Sequence, residues 1–308
     1  MYRLICGLLI CSLLAVSCKR RKAPQDTLFS GRITVAIDDA LAPLMQEEID
    51  VFEAQYTAAE ISPVFTNEID AVNLLLTDSV RLVIATRPLG ESEISYLNSL
   101  KFFPKSIKIA TDGIALIVHQ HNADSIINVA GLHKIFSGKV SRWNEVFPRS
   151  SPDTIRVVYD HSKSSTVRYV LDSICRGESL SPRSYAAGTN QKVIEYVART
   201  PSALGVIGVN WINDSLRKDF KKEIQVMRVS QSETPNYQNS FQPYQYYLYN
   251  GQYPLTRSIY VLLNDPRSGL PSGFTSFITG QRGQRIVLKT GLLPATMPVN
   301  IVNVRDRI

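Results

Sequence analysis

The 308-residue chain is 44% hydrophobic and 20% charged, with 16 Gly and 16 Pro. That composition excludes collagen-like, low-complexity and mostly disordered chains. Lys and Arg outnumber Asp and Glu by 34 to 27, a formal net charge of +7. No long basic block or aromatic-interleaved basic stripe accompanies it, which argues against nucleic acid and leaves small anions and anionic membrane surfaces open.

Met1 to Arg3 carry one positive charge, and Leu4 to Val16 form an apolar stretch. It is too short to span a bilayer but suits a secretory signal. Ala15-Val16-Ser17-Cys18 resembles a bacterial lipobox, so residues 1–17 are expected to be a signal peptide and Cys18 the lipidated first residue. An ordinary signal peptide is the rival. Cleavage there leaves only Cys18 and Cys175, so no structural disulfide is expected. Lys19-Arg20-Arg21-Lys22 opens a basic tether over 18–31 that adds attraction to an anionic membrane.

From Arg32 the pattern alternates. Ile33–Ile37 reads as a strand, Pro43–Tyr56 as a helix, Leu82–Ala85 as a buried strand and Ile107–Val118 as an apolar strand. Val129–Phe136 reads as a helix, Ile155–Tyr159 as a strand and Thr166–Cys175 as a helix that makes Cys175 a core thiol. Gln191–Ala198 is helical, Leu204–Val209 a strand and Ser258–Leu263 another. Phe274–Gly280 and Gln284–Lys289 read as closing helices. The alternation predicts α/β lobes with largely parallel sheets, and no repeat indicates a solenoid. At roughly 150 residues per domain the length predicts two units.

Three helix starts follow strand ends: Asp38-Asp39-Ala40, Ser164-Ser165-Thr166 and Gly188-Thr189-Asn190. Free N–H groups at a helix start carry partial positive charge, and open α/β sheets place ligands at carboxyl strand ends. Single hydroxyls or carboxylates there are ordinary caps. Ser164-Ser165-Thr166 offers more hydroxyls than one cap requires and fits a bound tetrahedral oxyanion.

Several ordered segments carry a family resemblance. They are Ala110-Thr111-Asp112-Gly113-Ile114-Ala115-Leu116-Ile117-Val118, Leu132 to Val146 with Ile135-Phe136-Ser137-Gly138-Lys139, Pro201 to Gly208, Tyr253-Pro254-Leu255-Thr256-Arg257, and Phe277 to Val287. From about Ile33 to Pro294 the chain resembles the solute-binding proteins of bacterial phosphate ABC transporters. The resemblance implies a two-lobed α/β periplasmic-binding-protein (class II) fold with two hinge crossovers, near Ile107–Ala110 and Pro254–Ser258. Lobe one then comprises 32–108 plus 256–308, and lobe two comprises 109–255. It implies a monomeric, lipid-anchored, non-enzymatic protein without a cofactor, on the periplasmic side of the cell envelope. Its ligand would be phosphate or a related oxyanion, and its partner an ABC permease. The alternatives are a stand-alone oxyanion sensor or scavenger, or a binder of sulfate or molybdate.

The family's ligand residues transfer unevenly. The resemblance places Asp39, Ala40 and Leu41 at the first anion loop, with backbone N–H groups facing the ligand. It places Ser164, Ser165 and Thr166 at the main loop; Asn190 is a candidate from its own helix start. Asp160 falls where the family has an arginine, and Thr86 where it has an aspartate. Arg87 or Arg168 is expected to supply the missing cation, because a guanidinium forms the bidentate fork an oxyanion needs. His119-Gln120-His121 lacks a third metal ligand, and His161 reads as a minor donor or loop residue. No catalytic or nucleotide-binding signature is present.

Overall fold

The computed structural model describes residues 26–212 and 223–298. The expected signal peptide, Cys18 and most of the tether lie outside the described residues, as does 299–308.

One lobe opens with β1 (Gly31–Asp38), a short turn of helix at Asp39–Leu41 and α1 (Ala42–Gln55). It continues through β2 (Ala59–Thr66), α2 (Glu68–Leu76), β3 (Leu82–Ala85) and α3 (Glu91–Ser99). The long β4 (Lys105–His119) leads to the other lobe. There β5 (Ile126–Asn128), α4 (Val129–Phe136), α5 (Trp143–Val146), β6 (Arg156–Tyr159) and α6 (Ser165–Tyr169) follow in order. Next come β7 (Tyr185–Ala186), α7 (Asn190–Arg199), β8 (Ala203–Gly208), β9 (Ile224–Val226), β10 (Arg228–Ser230) and α8 (Gln245–Tyr249). The chain returns through β11 (Thr256–Leu263) and ends in α9 (Leu270–Thr279), α10 (Gln281–Lys289) and β12 (Leu293–Pro294).

Side-chain alternation along each central strand explains the layers. In β1, Val35 and Ile37 join Leu44, Met45 and Phe52 of α1 in one core. Ala36 faces the other way, meeting Ala71, Val72 and Leu75 of α2. In β4, Ile114, Leu116 and Val118 enter one core of the second lobe, and Ala115 and Ile117 enter another with Val193 and Val197 of α7. Strands covered on both faces need continuous apolar runs, which is what these segments contain. Each large aliphatic side chain so buried contributes about 1.5–3 kcal/mol.

The strand order is β2-β1-β3-β11-β4-β8-β6-β7. The expectation of largely parallel sheets is corrected here. β1 runs parallel to β2 and β3, and β6 to β7 and β8. However, β11 is antiparallel to β3 and β4, and β4 is antiparallel to β8. The cause is β4, which pairs with β11 through Lys105–Gly113 and with β8 through Ile114–Val118. One strand serves both lobes, and the returning chain lies beside it in the opposite sense.

Two of the local differences have a clear physical cause. The helix after Ser164 is α-helical only to Tyr169 and then widens, with the Cys175 N–H reaching the Val170 carbonyl. Cys175 is nonetheless a buried free thiol, as the apolar pattern predicts. β2, absent from the sequence reading, contains Pro63. Proline is tolerated because β2 is an edge strand whose second side needs no N–H donor.

Candidate functional site

Strand ends and helix starts from both lobes converge on a cleft. The first lobe brings Asp38 at the end of β1, Glu68 at the start of α2 and Thr86 just after β3. The second brings Asp160 and His161 after β6, Ser164–Thr166 at the start of α6, Asn190 at the start of α7 and Asn210 after β8. At the base, where β4 and β11 pair, lie Asp112 and Arg257.

Arg257 is the central cation. It is 6% exposed, and its Nε donates to Asp112 Oδ2 at 3.0 Å. Its Nη1 donates to the Ser165 hydroxyl at 2.9 Å and to the Thr166 hydroxyl at 3.4 Å. Nη2 is buried with no protein partner. Burial pushes the Asp112 carboxyl up, against the opposing pull of Arg257 and of hydrogen bonds that include the Val209 N–H. Gly208 is required beside this pair. A Cβ there would stand 2.8 Å from Asp112 Oδ2 and 3.3 Å from Arg257 Nη2.

A second network crosses the cleft. Glu68 Oε1 accepts the Thr86 N–H at 2.7 Å and the Thr86 hydroxyl at 2.8 Å. Arg168 Nε of the opposite lobe donates to Glu68 Oε2 at 2.6 Å, and its Nη2 to the Thr86 hydroxyl at 3.0 Å. Burial alone would raise the Glu68 carboxyl, but Arg168 and Thr86 outweigh it and hold it below the usual carboxylate range. The lobes meet again where the Asn210 amide and the Trp211 indole donate to the Ala40 carbonyl.

Carboxyl groups crowd the same space. Asp38 is fully buried and pushed up to about 7, chiefly by burial and then by the charge of Glu68. Asp160, also fully buried, is raised chiefly by burial. His161 Nε2 pairs with Asp39 Oδ2 across the lobes at 3.0 Å, and that hydrogen bond leads the upward shift of the imidazole. Buried atoms without a protein partner include Asp38 Oδ2, Asp39 Oδ1, Asp160 Oδ1, Asn190 Oδ1, Asn210 Oδ1 and Arg257 Nη2. In folded proteins such groups are normally satisfied.

The sequence-predicted residues fall into place as follows. Ser164 caps α6 by accepting the Val167 N–H, while Ser165 and Thr166 turn to Arg257. Ala40 and Leu41 are fully buried, and the Ala40 N–H donates to Asp38 Oδ1 at 3.1 Å. Asn190 donates to Asp160 Oδ2 at 3.3 Å. Arg87 is committed to carboxylates. Its guanidinium makes a fork with Glu93, the capping residue of α3, at 2.8 and 2.7 Å, and its Nε lies 3.9 Å from Glu68 Oε2. Arg168 reaches the cleft, with its charge committed to Glu68.

Sequence reasoning did not name Asp38, Glu68, Asp112, Asp160, His161, Asn210 or Arg257 as ligand-site members, and Arg257 and Glu68 matter most. Arg257 lay within the recognised Tyr253–Arg257 segment, and its pairing with Asp112 depends on the register of β4 and β11. Glu68 follows the helix cap Asn67, and its carboxylate accepts the Thr86 hydroxyl. The pair His119 and His121 stacks edge to face, with His119 Nδ1 accepting the His121 N–H.

Comparison with known proteins agrees with this architecture. A phosphate-binding protein PstS of Pseudomonas aeruginosa is 22% identical over 282 residues, covering 86% of this chain and 83% of that protein. A PstS of Staphylococcus saprophyticus is 24% identical over 197 residues, covering 63% and 58%. Among solved structures, a Clostridium perfringens protein assigned as a phosphate ABC transporter substrate-binding protein, with bound phosphate, superposes with a TM-score of 0.70. It is 20% identical, and the match covers 86% of this chain and all of that one. An ABC-type phosphate transport receptor of Vibrio cholerae gives 0.65 at 19% identity, with 86% and 100% coverage. The profile of the PBP superfamily domain matches residues 23–282. With two α/β lobes around one cleft and a match over most of its length, this chain belongs to the PBP superfamily.

Proposed function

We propose that the chain binds an inorganic tetrahedral oxyanion, phosphate foremost, in the interlobe cleft and delivers it to an ABC importer. The observation that carries this reading is Arg257. A buried guanidinium nitrogen without a protein partner stands beside two buried hydroxyls that already share its other nitrogen. A desolvated guanidinium with adjacent hydroxyl donors is suited to an oxyanion, and it is met only when both lobes close. The relatives named above, phosphate-binding by name, support the choice of phosphate.

The carboxyl groups fit the same ligand. Phosphate near neutral pH still carries a proton that Asp38 or Asp160 could accept, whereas fully ionised sulfate offers none and is repelled. Millimolar orthophosphate is therefore expected to raise the melting temperature of the purified chain, and equal sulfate to raise it less. A ligand at about 100 times its Kd adds about 2.7 kcal/mol. Absence of any shift with phosphate, sulfate, arsenate or molybdate would overturn the reading.

The protein acts, in this proposal, as a monomer on the outer side of a membrane, held by lipid on Cys18. Among the described residues no helix is long and apolar enough to cross a membrane. Support for the anchor is the lipobox-like Ala15–Cys18 followed by the basic tether. Cys18→Ser is expected to abolish lipid labelling and release the protein from the membrane fraction. Continued partition with membranes would show that the anchor lies elsewhere.

A further inference from the structure

We propose that Asp39, Asp160 and His161 form a binding site for one zinc-type divalent cation that joins the two lobes across the cleft. One ligand atom from each lies within 4.8 Å of the others. His161 Nε2 stands 3.0 Å from Asp39 Oδ2 and 3.9 Å from Asp160 Oδ2. Ligand atoms around a tetrahedral zinc ion are separated by about 3.3 Å, and the observed spacings bracket that value.

The ion pair between His161 and Asp39 does not account for the cluster. It uses one oxygen of Asp39 and leaves Asp39 Oδ1 and Asp160 Oδ1 buried without partners. Asp160 is fully buried, and Asp38, also fully buried, adds a third carboxyl one residue before Asp39. Buried acceptors without a donor are costly, and a cation satisfies several at once.

Asn190 is an independent indication. It is 1% exposed, its amide lies 3.3 Å from Asp160 Oδ2 through Nδ2, and its Oδ1 has no partner. The two ends of an amide occupy equivalent positions by shape. As placed, Nδ2 holds Asp160 Oδ2, and an ion beside Asp160 would replace that hydrogen bond by drawing the turned-over amide oxygen in as a fourth ligand. One imidazole with carboxylate and amide oxygens is a donor set for zinc, manganese or iron(II), not for a soft thiolate-seeking ion.

Asp39 comes from one lobe and Asp160 with His161 from the other, so the ion is bound fully only when the cleft is shut. It would thus bias the protein toward the closed form. Resting on the oxyanion reading, a second consequence follows. The ion adds positive charge to a cleft crowded with carboxylates and offers an open coordination position to an oxyanion oxygen.

The test is titration of the metal-free full chain with Zn2+ in phosphate-free buffer by calorimetry, with Co2+ absorption in the visible as a spectroscopic readout. Saturable binding of one ion per chain is expected, with a Co2+ spectrum showing imidazole ligation. Asp160→Asn, which keeps the side-chain shape, and His161→Ala should each weaken Zn2+ by at least roughly 10- to 100-fold. Their melts without metal show that the variants fold. No saturable binding, or binding that both variants leave unchanged, overturns the proposal. A separate phosphate titration with chelator present distinguishes the two readings. Zn2+ binding without any phosphate response leaves the metal site standing and removes the oxyanion, and the converse removes the metal.

Discussion

Arg257→Lys is expected to weaken phosphate binding by roughly 10- to 150-fold in calorimetric titration, the loss of one or more charge-assisted hydrogen bonds worth about 1.5–3 kcal/mol. Lysine keeps a positive charge opposite Asp112, but a point charge cannot donate to Asp112, to the Ser165 and Thr166 hydroxyls and to the ligand at once. Arg257→Ala should go further and cost stability as well. It strands Asp112, which is fully buried, without its cation, and breaking such a pair costs about 3–5 kcal/mol. Arg257→Ala with Asp112→Ala should recover much of that stability while leaving phosphate unbound. Arg87→Ala, which removes the fork to Glu93 and a 3.9 Å ion pair with Glu68, should weaken phosphate binding far less than Arg257→Lys does. Parental affinity in Arg257→Lys would show that the cleft's oxyanion contact does not come from β11.

Glu48→Met is expected to stabilise the protein, and more so as the pH rises. Glu48 lies fully buried in α1, and neither carboxylate oxygen has a protein partner. Burial, with the charge of Glu47 second, pushes it from 4.5 up to about 9. The folded state therefore holds a proton that the unfolded chain releases above about pH 4.5. Stability associated with that proton is full below pH 4.5, declines as the pH rises and is lost by about pH 9. Each pH unit within that window removes up to about 1.4 kcal/mol, so the cost approaches about 3 kcal/mol at neutral pH. Methionine fills a similar volume without a titrating group. Denaturant unfolding at pH 5 and pH 8 should show a larger gain at pH 8. A gain that is the same at both values would mean that Glu48 is ionised in the fold and that its burial acts differently.

The ordered apolar runs determined the central strands. Leu82–Ala85 and Ile114–Val118 are continuous because each is covered on both faces, and that demand is written directly in residue type. The hydroxyl cluster Ser164–Thr166 was equally legible, since three adjacent hydroxyls at a helix start exceed the needs of one cap. Tertiary structure alone decided which groups these hydroxyls meet. Arg257 lies 92 residues from Ser165, and only the antiparallel register of β11 on β4 brings its guanidinium to the start of α6. Arg87 looked well placed by its neighbours in sequence, yet an ion pair six residues away captured it. Glu68 read as an ordinary first-turn acid, and lobe closure made it the partner of Arg168, 100 residues on. Local sequence specifies which segments are buried, because burial depends on the residue's own chemistry. The pairing of charges across a cleft depends on strand register and lobe approach, which are set by the sum of all the contacts.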